Sequence, residues 1–314
     1  MTKPHVLQIG SYPEWDEAPL REAYTLHRYY AAHDPAALLA DVGPKVRAIA
    51  TSGTAGASQD LIRACPNLEL IAIYGVGFDA VDLATCRARG IAVTNTPGVL
   101  TDDVADLAIT MMLALTRRTL QADTWVRSGR WAAQGPFPLG RRAFGRRAGI
   151  LGLGRIGTAI AHRLSGFDMD IAYSARSAKA TPWTFLPDPV ALAARSDILF
   201  VALAASAETR DIVNAEVLRA LGPDGIIINI SRAANIDESA LLDALECGGI
   251  AGAALDVFEA EQNLNPRFLL LDNVLLQPHI GSATIETRRA MGQLMRDNLF
   301  AHFAGHPLLT PVIE

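Results

Sequence analysis

Short, nearly uninterrupted apolar runs recur along this chain, and stretches with apolar residues at helical spacing lie between them. In the first third the runs are Val6-Leu7-Gln8-Ile9, Val46 to Ala50, Leu70 to Ile73 and Ile91 to Thr94. Helical spacing falls at Ala36 to Ala40, Ser58 to Ala64 and Leu83 to Arg89. A second series runs from Arg147 to about His279, with strands expected at Ala148 to Leu151, Ile171 to Tyr173, Ile198 to Leu203, Ile226 to Ile230, Ala251 to Leu255 and Val274 to Leu276. Within it, Asp237-Glu238 start a helix through Leu245 that ends at Gly248-Gly249, a natural C-cap. Strands without polar alternation are buried on both faces, as in parallel sheets. The alternation of strand and helix predicts an α/β fold of two doubly wound parallel-sheet domains.

The connections complete that layout. Asn95-Thr96-Pro97-Gly98 breaks the pattern and reads as an interdomain hinge. Thr101 is a good N-cap for a helix over Asp102 to Arg118, with acidic residues in its first turn and Arg117 and Arg118 in its last. Its apolar residues are too continuous for a surface helix, so it is expected between domains or subunits. Trp125 to Phe144, rich in Gly, Pro, Trp and Arg, reads as an irregular arm at a dimer interface. Ala283 to Gly305 is a long terminal helix expected to cross back to the first domain. The expected domains are 1–98 plus 285–314 for the substrate and 99–284 for the cofactor.

Composition narrows the function. The formal net charge of −5 and the scattered basic residues of this 314-residue chain argue against a nucleic-acid footprint. Cys65, Cys86 and Cys247 lie far apart and form no CxxC pair, which suits a reduced cytoplasmic compartment and no metal site. Met1-Thr2-Lys3-Pro4-His5 leads directly into a strand, with no signal-peptide pattern. The longest apolar stretch, Leu107 to Leu115, is broken by Thr110 and falls short of the ~20 residues that span a bilayer. A cytoplasmic enzyme with a small-molecule partner is the expectation.

The chemistry is organised around Gly152-Leu153-Gly154-Arg155-Ile156-Gly157, a GxGxxG pattern between a strand and a helix. That context is the dinucleotide fingerprint. Gly152 permits the tight turn, Gly154 lets backbone N–H groups approach a pyrophosphate, and Gly157 lets the helix pack on the strand. An acid at the end of the next strand holds the ribose in NAD sites. Here that strand ends Tyr173-Ser174-Ala175-Arg176, with Ser174 in place of the acid and Arg176 suited to a 2′-phosphate. NADP(H) is therefore expected over NAD(H). Asp170, the competing acid, lies at the strand's beginning. In the first domain, Tyr74-Gly75-Val76-Gly77-Phe78-Asp79 follows a strand end, and its glycines either expose backbone N–H groups as an anion nest or make a plain glycine turn.

Arg232, Glu261 and His279 each follow a strand end of the second domain, where a doubly wound sheet gathers its ligands. Each taken singly has an ordinary structural use. Together they supply what hydride reduction of a 2-oxo acid requires: a cation for carboxylate and carbonyl, a proton donor, and a carboxylate that orients the imidazole.

The chain here resembles the D-2-hydroxyacid dehydrogenases, through Leu151 to Gly157, Asn229-Ile230-Ser231-Arg232, Leu255 to Glu261 and Gln277 to Thr284, and also through Asn95 to Gly98 and Asp103 to Ala108. The resemblance implies a flavodoxin-like substrate domain and a Rossmann cofactor domain, usually paired as a homodimer through the latter. It implies that Arg232, Glu261 and His279 are the catalytic triad and that Val76 and Gly77 present N–H groups to the substrate carboxylate. Asp256 is implied to sit near the nicotinamide, with Ile230 and Gly281 among the cofactor contacts. Gly135 to Gly140 and Tyr173 to Arg176 are similar to the NADPH-preferring glyoxylate, hydroxypyruvate and hydroxyphenylpyruvate reductases of that family. Two departures are Arg232-Ala233, where Arg-Gly is usual, and Glu261-Gln262, where Glu-Pro is usual. The rival readings are an NAD-linked dehydrogenase such as phosphoglycerate dehydrogenase and a nucleotide-sensing protein like the family's corepressors.

Overall fold

A computed structural model describes residues 3–312; residues 1–2 and 313–314, on which part of the N-terminal and domain expectations fall, lie outside the described residues. Two compact units divide the chain: Met1–Leu100 with Thr284–Glu314, and Thr101–Ala283.

The first unit runs through β1 (His5–Gln8), α1 (Glu14–Ala23), β2 (Thr25–Arg28), α2 (Pro35–Val42), β3 (Val46–Ser52), α3 (Gln59–Arg63), β4 (Leu70–Tyr74), α4 (Leu83–Arg89) and β5 (Ala92–Thr94). Its five strands are parallel in the order β2-β1-β3-β4-β5, the flavodoxin-like arrangement. β4 is buried along its whole length, as its apolar run predicts. Leu7, Ile49, Ile62, Ile71 and Ile73 are at the centre of this unit's core. Helix starts follow the short polar residues: Asp34, Ser58 and Asp82 each accept a backbone N–H of the first turn. The periodicity does not announce α1 or β2. Thr25-Leu26-His27-Arg28 is a half-exposed edge strand with no apolar run, and α1 carries Pro19 and three acidic residues in its first turn.

The second unit contains α5 (Thr101–Arg117), α6 (Thr119–Arg127), α7 (Arg130–Gln134), β6 (Arg147–Leu151), α8 (Arg155–Ser165), β7 (Asp170–Ser174), β8 (Thr184–Phe185), α9 (Pro189–Arg195), β9 (Ile198–Val201), α10 (Ala215–Leu221), β10 (Ile226–Asn229), α11 (Glu238–Glu246), β11 (Gly252–Leu255) and β12 (Val274–Leu276). All seven strands are parallel, in the order β12-β11-β10-β9-β6-β7-β8. The chain builds from β6 outward on one side, then returns to β9 on the other. The switch point therefore lies at β6, immediately before the glycine turn.

Within this unit α5 packs against α8 and against β10, β11 and β12, which cover part of its long apolar face. One expectation changes here. The irregular arm expected over Trp125 to Phe144 starts as helix: α6 runs through Arg127 and α7 spans Arg130–Gln134. Gly129, at φ 74, makes the left-handed break between them.

After the second unit, α12 (Ile285–Ala304) belongs to the first. Thr284 caps it by accepting the Thr287 N–H, and it packs against β4 and α1. Gly292 allows that approach, since a Cβ there would land on the Asp16 carboxylate. Asp16, fully buried on α1, pairs with Arg296 of α12 and accepts the Tyr74 hydroxyl at 3.1 Å.

Candidate active site and cofactor turn

β6 ends at Leu151, paired in register with Ser174 of β7 and Val201 of β9. Both neighbours grip the turn: Ala202 N–H donates to the Leu151 carbonyl at 2.8 Å, and Gly152 N–H to the Ser174 carbonyl at 2.9 Å. Gly152 has φ +96, and a Cβ there would lie 2.9 Å from the Ala202–Leu203 backbone. A Cβ on Gly157 would collide with the Gly152 carbonyl. Gly154 differs, because a Cβ there would meet nothing within 4 Å. The fold requires the outer two glycines. The middle one leaves a clear approach to the start of α8, where Arg155 and Ile156 form the first turn and Leu153 is buried behind. Such a cradle at a helix N-terminus fits a pyrophosphate.

At the end of β7, Ser174 is buried and its hydroxyl donates to the Pro187 carbonyl at 3.1 Å. A hydroxyl has one proton to donate, and in this structure that of Ser174 is directed to Pro187. Ala175 is half-buried, while Arg176, Ser177 and Lys179 are exposed. Asp170, at the other end of the strand, pairs with Arg195 at 2.7 Å. Glu208, on the loop after β9, is held below the usual carboxyl range, first by the Ser206 hydroxyl and more weakly by the charge of Arg176.

The ends of β10, β11 and β12 lie side by side, with Asn229 opposite Leu255 and Leu255 opposite Leu276. Arg232 follows the first. Its loop is built on a buried amide: Asn229 Oδ1 accepts the Ser231 N–H at 3.0 Å and its hydroxyl at 2.7 Å, and Asn229 Nδ2 donates to the Arg232 carbonyl at 3.1 Å. Asn235 Nδ2 donates to Ser231 Oγ at 3.0 Å and to the Leu203 carbonyl at 3.2 Å. Ile230, between Asn229 and Ser231, is buried.

β11 delivers Asp256, which is 2% exposed. Its Oδ1 accepts the Ile280 N–H at 2.7 Å and its Oδ2 the Gly281 N–H at 2.9 Å. Burial pushes this carboxyl above its ordinary range, against the pull of those two N–H groups. The clamp closes on the residues just after His279, which has φ 54, a left-handed conformation uncommon outside glycine. His279 Nδ1 lies 2.6 Å from Glu261 Oε1. An ionised carboxylate can only accept, so Nδ1 carries the proton of this bond and Nε2 is the ring nitrogen left for chemistry. Both side chains are about one-third exposed, at 30% and 34%.

Val76 and Gly77 belong to the first unit, in the loop after β4. Asn95 Nδ2 donates to the Val76 carbonyl at 2.8 Å, Thr96 N–H donates to the Gly75 carbonyl at 2.9 Å, and Gly75 N–H donates to Thr96 Oγ1 at 3.1 Å. Asn95 and Thr96, expected to form a hinge, brace the loop that carries Val76 and Gly77. The positioning residues Asn229, Asn235 and Asp256-as-clamp escaped sequence reading. The one available signal was Asn229, a polar residue ending an Ile-Ile-Ile run.

Residues 109–281 match the model of the D-isomer specific 2-hydroxyacid dehydrogenase NAD binding domain. The chain is 47% identical over 309 residues to a hydroxyphenylpyruvate reductase of Plectranthus scutellarioides, covering 98% of each. Among solved structures, a 2-hydroxyacid dehydrogenase from Ketogulonicigenium vulgare Y25 superposes with a TM-score of 0.93 at 64% identity, covering 100% of this chain and 99% of that one. An NADPH-dependent glyoxylate/hydroxypyruvate reductase from Sinorhizobium meliloti, in complex with NADP and malonate, superposes at 0.92 with 42% identity, covering 99% and 97%. With two parallel α/β units, a glycine turn at the switch point and a His–Glu pair at the neighbouring strand ends, the chain belongs to the D-isomer specific 2-hydroxyacid dehydrogenase family.

Proposed function

We propose that this protein is an NADPH-dependent reductase of small 2-oxo acids, glyoxylate and hydroxypyruvate first, giving D-2-hydroxy acids. The observation that carries the reading is the His279–Glu261 pair at 2.6 Å, beside the Arg232 loop on adjacent strand ends. Gly152 to Gly157 would hold a reduced nicotinamide dinucleotide, whose contribution would be a hydride for the carbonyl carbon. Every other requirement falls to this chain. Arg232 binds the substrate carboxylate and polarises the carbonyl. His279 Nε2 gives a proton to the carbonyl oxygen, and Glu261 stabilises the imidazolium before that transfer. Val76 and Gly77 offer N–H groups to the carboxylate. Gly152 to Gly157 hold the pyrophosphate, and Arg176 receives the 2′-phosphate where an NAD site has an acid. Ala175, Ile230, Asp256 and Gly281 complete the cofactor contacts.

The expected assembly is a cytoplasmic homodimer. Leu120, Val126, Trp131 and Leu139, all exposed on α6, α7 and the segment after them, support a subunit contact there. No helix among the described residues is long and apolar enough to cross a membrane.

Absorbance decay at the reduced-nicotinamide band, with NADPH and NADH in parallel, tests the assignment. Glyoxylate and hydroxypyruvate should turn over faster with NADPH, and His279→Ala should lose at least about a hundredfold while still binding cofactor. Wild-type turnover by that variant would sink the mechanism. Preference for NADH would move the protein to the NAD-linked branch.

A further inference from the structure

Lys179 lies three residues beyond Arg176. Its Nζ donates to the carbonyl of Leu153, inside the glycine turn. Its own N–H donates to the Tyr173 hydroxyl at 2.7 Å, so a buried phenol on β7 fixes the bend that brings Lys179 back to the turn. Thr181 N–H donates to the Lys179 carbonyl at 2.9 Å, and the Thr181 hydroxyl is buried with no partner among the described residues. The segment after β7 thus brings one cation, Lys179, onto the cofactor turn, with a second, Arg176, three residues before it.

We propose that Lys179 is a cofactor-specificity residue, the second cation of a clamp that Arg176 and Lys179 form around the ribose 2′-phosphate. The inference rests on the NADPH reading above and adds a residue to it. Three observations converge. The Ser174 hydroxyl donates to Pro187 in this structure, so the cations beyond the strand end are the charged donors left facing solvent. Arg176 lies within electrostatic reach of Glu208, which offsets part of its charge, whereas a phosphate monoester carries about −1.5 to −2 at pH 7. Lys179 already rests on the cofactor turn, and its partner there is a neutral carbonyl, so its positive charge remains for an arriving anion. An ammonium on a flexible stem can leave that carbonyl for a stronger, charge-assisted bond.

The test is equilibrium binding without substrate. Wild type, Lys179→Gln and Lys179→Arg are titrated calorimetrically with NADPH, NADH, 2′,5′-ADP and 5′-ADP. Lys179→Gln should weaken NADPH and 2′,5′-ADP about tenfold, the scale of one charge-assisted hydrogen bond. NADH and 5′-ADP should stay within about twofold, and Lys179→Arg should recover most of the loss. If Lys179→Gln weakens all four ligands alike, Lys179 only braces the turn and the proposal is overturned. If it weakens none while wild type still prefers NADPH, the proposal fails and the NADPH reading stands. If wild type itself does not prefer NADPH, the reading fails and takes the proposal with it.

Discussion

His279 is held at φ 54 by its neighbours, because Asp256 ties down the two N–H groups that follow it. An L-residue in this conformation costs roughly 1–2 kcal/mol, and glycine adopts it freely. His279→Gly should therefore abolish turnover while leaving the urea midpoint unchanged or higher. A clear fall in the midpoint would mean that the His279–Glu261 bond outweighs the strain. Asp256→Ala should act oppositely and cost about 1–3 kcal/mol in urea unfolding, since it strands two N–H groups. Asp197 allows a pH test. Burial alone would raise its carboxyl, but the Arg147 side chain and N–H, with the charge of Arg146, hold it below the usual range. Its stabilisation is complete above the unfolded value near 4 and is lost as pH falls through the depressed native value. Asp197→Asn should thus be less stable than the parent at pH 7, with the gap closing toward pH 3. At this scale the sequence pointed to Glu261 and His279, which the structure pairs, and to Arg232 at the neighbouring strand end. Asn235 and Asp256 act through partners far along the chain, Leu203 and Ile280-Gly281, which no local pattern announces, whereas Asn229 binds Ser231 and Arg232 within three residues and shows in the sequence only as a polar end to an apolar run. The bond from Ser174 to Pro187, thirteen residues on, is out of view in the sequence for the same reason as the partners of Asn235 and Asp256.

At the scale of elements, hydrophobic runs located the buried strands because parallel strands covered on both faces must be apolar. β2 and β8 are edge strands with little to bury, so the same rule is silent there. The helices α6 and α7 were hidden by Trp, Gly and Arg, a composition that mimics a loop. Close packing between elements yields a further expectation. Gly292→Ala would drive a methyl into Asp16 and separate α12 from α1. It should cost about 1–3 kcal/mol, read as a lower midpoint for probes in the first unit. An unchanged midpoint would show that Asp16 and Arg296 can rearrange.

Over the whole molecule, each unit has its own sheet and core, and the second is one continuous segment, Thr101–Ala283. It holds the glycine turn, Arg176, Lys179 and the three residues of the proposed triad. As a separate fragment it should fold and bind NADPH without turning over substrate. At a hundred times the dissociation constant, NADPH should stabilise it by about 2.7 kcal/mol. A fragment that folds but does not bind would mean that the first unit contributes to the cofactor site. The two-unit plan was legible because its two strand series are separated by a break at Asn95 to Gly98.

The return of α12 to the first unit has a consequence for biosynthesis. A ribosome releases β1 to β5 first, but the helix that packs on β4 and α1 comes last, after the entire second unit. For most of translation the first-made sheet waits with that face uncovered, while the later-made unit can already close around its nucleotide. A nascent chain that has emerged from the ribosome only as far as Ala283 would then present a finished nucleotide binder beside an unfinished neighbour.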